Sequence, residues 1–226
     1  IGKAISRHLH GQGYRVIANY GGDDQAAADF SGETGIPSLR FDVSDFDRTR
    51  TAVASIEEEW GPIDILVNNA GITRDSMFHK MDTDAWSSVL QTNLTSCFNT
   101  CRAVIGGMRE RKFGRIVNVS SMNGQAGQLG QANYAAAKAG MIGFSKSLAL
   151  ETAGKGITVN VVAPGYIDTE MCRTVPEPVL EKVIAKIPVG RLGEVDEVAR
   201  AVAYLVGEDG GFITGSTLSI NGGQLM

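Results

Sequence analysis

Cysteine, histidine and proline are scarce in this chain: three Cys, three His and six Pro among 226 residues. Cys97, Cys101 and Cys172 form no Cys-x-x-Cys pair, and His8, His10 and His79 have no ligand-like spacing, so no metal is expected. Cys97 and Cys101 stand four apart and share a helix face. They read as small apolar residues, which fits a reducing cytoplasm. No apolar stretch approaches the roughly 20 residues needed to span a bilayer, so no membrane partner is expected. Positive charge is also in short supply. The formal net charge is −4 and no basic cluster occurs, which argues against nucleic acid as a partner. A specific basic spot for a phosphate ester stays open. The chain opens on Ile1 rather than Met, which leaves the question of a leader peptide open.

Glycine, by contrast, is abundant at 28 residues, against a usual share of about 7%. The glycines fall mainly between apolar runs, where tight strand–helix turns need them. Residues 14–19, 38–41, 63–67, 114–120, 157–163 and 217–220 read as strands. Most are unbroken apolar runs, the pattern of strands covered on both faces. Residues 3–10, 25–34, 46–60, 83–111, 131–154 and 195–207 read as helices, with Ser44 and Asp47 as the N-cap and N3 partner of the third. This alternation predicts an α/β fold with a Rossmann-type doubly wound parallel sheet, one domain over residues 1–226. The 131–154 helix carries Ala and Gly on nearly every side, which suggests a subunit interface.

Tyr134 and Lys138 are four residues apart, so on a helix they share a face. A cation beside a phenol favours loss of its proton, and a phenol so placed can serve as a general acid toward a carbonyl oxygen. A surface lysine beside a half-buried tyrosine has the same spacing, so the pair needs company. Ser121 ends the fourth apolar run, Asn93 lies in Gln91-Thr-Asn-Leu-Thr95 of the 83–111 helix, Asn68–Gly71 follows the third run, and Pro164–Gly165 with Thr169 follows the fifth.

Taken together, in this order and over residues 2–221, these motifs resemble the short-chain dehydrogenase/reductase family. Within it, Ile72–Asp75, Met122–Gln131 and Pro164–Tyr166 are similar to the acetoacetyl-CoA reductases that feed polyester synthesis. The resemblance implies a catalytic set of Asn93, Ser121, Tyr134 and Lys138. Tyr134 would give the proton, Ser121 would hold the ketone oxygen, and Lys138 would lower the Tyr134 pKa and bind the nicotinamide ribose. Asn93 would hold a water that links Lys138 to solvent; on its own it reads equally well as a helix-bending side chain.

The resemblance further implies cofactor contacts from Gly2, Asp42, Val43, Asn69, Ala70, Gly71, Tyr134, Lys138, Pro164, Gly165, Ile167 and Thr169. Asp42 reads alternatively as a turn carboxylate beside Ser44, and Asn68 as a structural residue. Asp75, Lys80, Gln128, Leu129, Gln131 and Tyr166 would meet an acyl-CoA substrate. As bare sequence, Gln125, Gln128 and Gln131 are a polar loop. Gly2 matches the last glycine of the family's dinucleotide loop; the first strand and the rest of that loop are expected to precede Ile1, leaving 14–19 and 63–67 to flank the open position. The run after Ile17 ends Ala18-Asn19-Tyr20 with no carboxylate, which favours NADPH over NADH, although Asp23 and Asp24 weigh the other way. The expected activity is NADPH-dependent reduction of acetoacetyl-CoA by a cytoplasmic homotetramer. A 3-oxoacyl-(acyl-carrier-protein) reductase and a non-catalytic scaffold are the alternatives.

Overall fold

A computed structural model describes residues 1–169, 172 and 176–226. Six parallel strands alternate with helices: β1 (Ala18–Tyr20), β2 (Ser38–Arg40), β3 (Ile65–Asn68), β4 (Gly114–Val119), β5 (Ile157–Pro164) and β6 (Thr217–Ile220). The helices are α1 (Gly2–Gly11), α2 (Asp24–Thr34), α3 (Phe46–Trp60), α4 (Thr83–Leu90), α5 (Ser96–Arg111), α6 (Asn123–Ala126), α7 (Ala132–Thr152), α8 (Glu177–Ile184) and α9 (Val195–Val206). The strands form two ladders, β1–β2 and β3–β4–β5–β6. No ladder joins β1 to β3 among the described residues.

Alternate residues of the central strands serve opposite layers, as strand geometry requires. Val117, Val119 and Val162 pack with Ala4, Ile5 and Leu9 of α1 and with Val198, Val202 and Leu205 of α9. Ile116, Ile157 and Val159 pack on the other face with Val53 of α3, Val104 and Met108 of α5, and Ala149 of α7. Both faces are therefore covered, which is why β4 and β5 are apolar almost throughout.

Four details differ from the sequence reading. The first strand is shorter, because only Ala18–Tyr20 find ladder partners, in β2. The cap of α3 is Asp45, whose carboxylate accepts from Arg48 N at 3.0 Å; the Ser44 hydroxyl is turned to Asp42 instead. The 83–111 helix is divided into α4 and α5 by a π-helical turn, Gln91–Thr95. The helices α6 and α8, the latter following Pro176, are additions to the six helices read from the sequence.

A chain of side-chain hydrogen bonds crosses the sheet interior. Thr100 Oγ1 donates to Asn68 Oδ1 (2.7 Å), Asn68 Nδ2 to Asn118 Oδ1 (2.8 Å), Asn118 Nδ2 to Ser145 Oγ (2.8 Å) and Ser145 Oγ to Met141 O (2.7 Å). These bonds tie α5, β3, β4 and α7 together with amides that would be costly to bury unpaired. Asn68 is thus a structural residue.

Candidate active site

Parallel α/β sheets present their ligand crevice at the carboxyl ends of the strands. Residues 42–43, 69–71, 120–121 and 165–169 all lie just past such ends. Beyond β4, Ser120 Oγ donates to Lys138 O at 2.8 Å, and Lys138 Nζ donates to Val119 O at 2.7 Å. Lys138 is therefore fastened to the end of β4 at both its backbone and its side chain. Gly124 lets α6 lie directly on α7 there: a Cβ at Gly124 would fall 2.7 Å from the Lys138 carbonyl carbon. That contact carries Ser121, at the start of the α6 loop, toward Tyr134. Ser121 Oγ also accepts from Asn123 N at 3.2 Å.

Tyr134 and Lys138 share one face of α7, with Nζ 5.6 Å from the phenol ring centroid. Burial raises the Tyr134 pKa above its ordinary 10.0; Ser121, facing the hydroxyl, offsets part of this, and the Asp75 carboxylate adds to it. Burial pushes Lys138 down to about 8. The expected lowering of the Tyr134 pKa by Lys138 is accordingly not found. Removing each group from water favours its neutral form. Burial likewise pushes Cys97 up to about 11 and Cys101 higher still, so both are inert thiols.

Asn93 is fully buried in the π-helical turn. Its Oδ1 accepts from Ile72 N (2.8 Å) and its Nδ2 donates to Ile72 O (2.9 Å). The side chain thereby clasps the backbone that follows Gly71. A Cβ at Gly71 would lie 3.2 Å from Asn93 Oδ1 and 3.6 Å from Lys138 Nζ, so Gly71, Asn93 and Lys138 meet. The amide is committed to Ile72, within a π turn, a backbone irregularity frequent at functional sites.

The residues expected to meet the cofactor sit around this centre. Gly2, at the start of α1, packs against the Asn69 amide, and Ala70 and Gly71 are exposed. Asp42 Oδ1 accepts from Ser44 N (2.9 Å) and Oγ (2.7 Å), which holds its pKa below the usual range. The turn reading of Asp42 is therefore realised in part. Val43 O accepts from Asn99 Nδ2 at 2.9 Å. Pro164 O accepts from Met122 N and Gly165 N donates to Ile220 O. Ile167 bridges to Gly193, and Thr169 Oγ1 accepts from Cys172 N at 3.3 Å.

Of the residues expected at substrate, Asp75 and Gln131 are brought together: Gln131 Nε2 donates to Asp75 Oδ2 at 2.8 Å, and Gln131 Oε1 accepts from Asn123 Nδ2 at 2.9 Å. Asp75 also acts electrostatically on Tyr166, whose pKa is raised chiefly by burial. Tyr166 lines a cavity of about 110 Å³ with Ile187, Val189 and Ile220. Gln128, Leu129 and Lys80 are exposed, Leu129 by 80%, and are not drawn into the cluster.

Sequence reading overlooked three residues of this cluster. Asn123 and Gly124 place the Ser121 loop. Asn133, fully buried, donates to Arg74 O and Ala85 O (3.0 Å each) and accepts from Tyr134 N (2.8 Å). Its one sequence signal is an amide immediately before Tyr134 at the start of a helix.

The chain has well-covered relatives. A family model described as enoyl-(acyl carrier protein) reductase matches residues 1–224. An acetoacetyl-CoA reductase of Shinella zoogloeoides is 59% identical over 225 residues, 99% of this chain and 93% of its own length. An acetoacetyl-CoA reductase of Rhizobium meliloti is 58% identical over the same shares. A 3-oxoacyl-(acyl-carrier-protein) reductase of Escherichia coli is 45% identical over 228 residues, 100% of this chain and 93% of its own.

Proposed function

The chain belongs to the short-chain dehydrogenase/reductase family, and from that premise we propose that it reduces acetoacetyl-CoA to (R)-3-hydroxybutyryl-CoA with NADPH. The observation that carries the reading is the meeting of Ser121, Tyr134 and Lys138 at the carboxyl end of β4. Two hydroxyls converging from one side suit an oxygen on which negative charge develops, which favours a carbonyl over the carbon–carbon double bond named in the family model's description. The relatives' names favour it too.

When bound, the dinucleotide supplies the hydride. Ser121 holds the carbonyl oxygen and Tyr134 gives it a proton. With its pKa raised, Tyr134 stays protonated through the neutral range, as an acid must. Lys138, near half-charge at about pH 8, sits behind Tyr134 and can pass a proton inward from the Asn93 turn. Asp42, Val43, Asn69, Ala70 and Gly71 would flank the adenosine and ribose, with Pro164, Gly165, Ile167 and Thr169 against the nicotinamide and pyrophosphate. Asp75, Gln131 and Tyr166 would border the acyl group; Lys80, Gln128 and Leu129 would act from the rim.

NADPH is favoured because β1 ends Ala18-Asn19-Tyr20 with no carboxylate, and the Asp23 that follows is turned to α2, accepting from Ala26 N at 2.9 Å. A homotetramer is supported by α7, whose outward side exposes Ala136, Ala139, Gly143 and Leu150, the last by 86%.

The second reading, reduction of a 3-oxoacyl group on acyl carrier protein, is favoured by the Escherichia coli relative. NADPH oxidation by the full-length protein distinguishes the two. A kcat/KM at least about tenfold higher for acetoacetyl-CoA than for the acetoacetyl-carrier-protein thioester is expected, a difference of about 1.4 kcal/mol in transition-state stabilisation. The reverse ratio would establish the second reading.

A further inference from the structure

We infer that Arg40 selects the phosphorylated cofactor, its guanidinium exchanging Asp24 for the 2′-phosphate of NADPH beside Tyr20. The inference rests on the NADPH reading above. Tyr20 and Arg40 are register partners on the last rung of the β1–β2 ladder, at the carboxyl end of both strands. Register partners present their side chains to the same face. That face, at that end, is where an adenosine ribose lies in such sheets.

Arg40 Nη1 is 3.2 Å from Asp24 Oδ1 and 3.0 Å from Oδ2. One nitrogen thus carries both contacts, and Nε and Nη2 have no partner among the described residues. A guanidinium fork meets a carboxylate or phosphate best through two parallel N–H groups, so the Asp24 pairing leaves most of the fork unused. The pair is also exposed, with side-chain accessibilities of 55% and 64%, and pairs of that kind are weak. A phosphate monoester brings nearly two charges and three acceptor oxygens, against one charge on Asp24. The exchange therefore runs toward phosphate. Asp23 does not compete, because its carboxylate is turned to the α2 amides. Tyr20 stands beside the pair, and the charges of Asp24 and Arg40 both act on its hydroxyl. With NADH there is nothing to exchange, and Arg40 stays on Asp24.

Fluorescence titration of the full-length protein with NADPH and with NADH tests this. Wild type should bind NADPH more tightly. Arg40→Ala should weaken NADPH about tenfold or more while leaving NADH within about twofold, Arg40→Lys should recover part of the loss, and Asp24→Asn should tighten NADPH several-fold. Equal weakening of both cofactors would make Arg40 a general structural residue and overturn the inference. Unchanged NADPH affinity in Arg40→Ala would overturn it too, while leaving the cofactor reading intact. A wild type that prefers NADH would overturn both.

Discussion

Every residue of β4 and β5 is buried, whereas every residue of β1 and β2 is at least partly exposed. The four-stranded part is sealed on two faces and laced by the Thr100–Asn68–Asn118–Ser145 hydrogen-bond chain. The two-stranded part is held at its open end by a solvent-exposed ion pair. Ser121, Tyr134 and Lys138 rest on the first; Tyr20, Arg40 and Asp42 rest on the second. The contrast teaches that a proton-transfer geometry needs neighbours that do not give, while a selectivity contact for a charged group can sit where water reaches it. It also implies that the two can be altered separately.

The largest loss outside the proton donor itself is expected for Lys138→Ala. Turnover should fall by about 10²–10⁴, the usual range for proton-transfer groups. Cofactor affinity should fall as well, since Lys138 is proposed to hold the nicotinamide ribose; steady-state kinetics beside an NADPH titration checks both. A loss confined to turnover would remove the ribose contact.

Next in size is a contrast in stability. Asn118→Ala takes the acceptor from the Asn68 amide and one donor from the Ser145 hydroxyl, and should cost about 1–3 kcal/mol. At this chain length that is several degrees of Tm. Arg40→Ala, removing an exposed pair, should leave Tm unchanged. Equal shifts in a thermal melt would erase the distinction between the two parts.

A smaller effect is expected with pH. Lys138 is charged below about 8 and neutral above it, while Tyr134 stays protonated past its ordinary 10.0. The reduction rate should therefore decline above about pH 8 through loss of the Lys138 proton. A profile flat through the alkaline range up to the Tyr134 titration would show that Lys138 does not feed the proton path. Smallest is Gln128→Ala with Gln131→Ala. It should raise the KM for acetoacetyl-CoA several-fold and leave that for NADPH alone, since Gln131 stands between Asp75 and Asn123 on the acyl side. Equal changes in both constants would make the loop a general structural element.

The layered α/β plan is legible in the sequence because β4, β5 and the 63–67 run are largely continuous apolar stretches, and such stretches have few other uses. Tyr134 and Lys138 can be singled out because four-residue spacing puts two side chains on one helical face. The π-helical turn at Asn93 is not legible, because one extra residue per turn barely disturbs a helical pattern. Ser44 and Asp45 compete for the cap of α3, because both residue types cap helices and sequence alone leaves the boundary a residue wide. The direction of the Tyr134 shift is hidden because spacing reveals a neighbouring cation but not that both groups are buried. Gln131 looks like any loop amide, since its partner Asp75 lies 56 residues away.

The most direct test mixes NADPH-loaded protein with acetoacetyl-CoA and follows a single turnover, wild type beside Tyr134→Phe, with the NADPH Kd of each taken from the same titration. The wild type should oxidise its bound NADPH and release (R)-3-hydroxybutyryl-CoA. Tyr134→Phe should bind NADPH within a few-fold of wild type and turn over at least about a hundredfold more slowly. A Tyr134→Phe protein that retains a tenth of the wild-type rate would contradict the account.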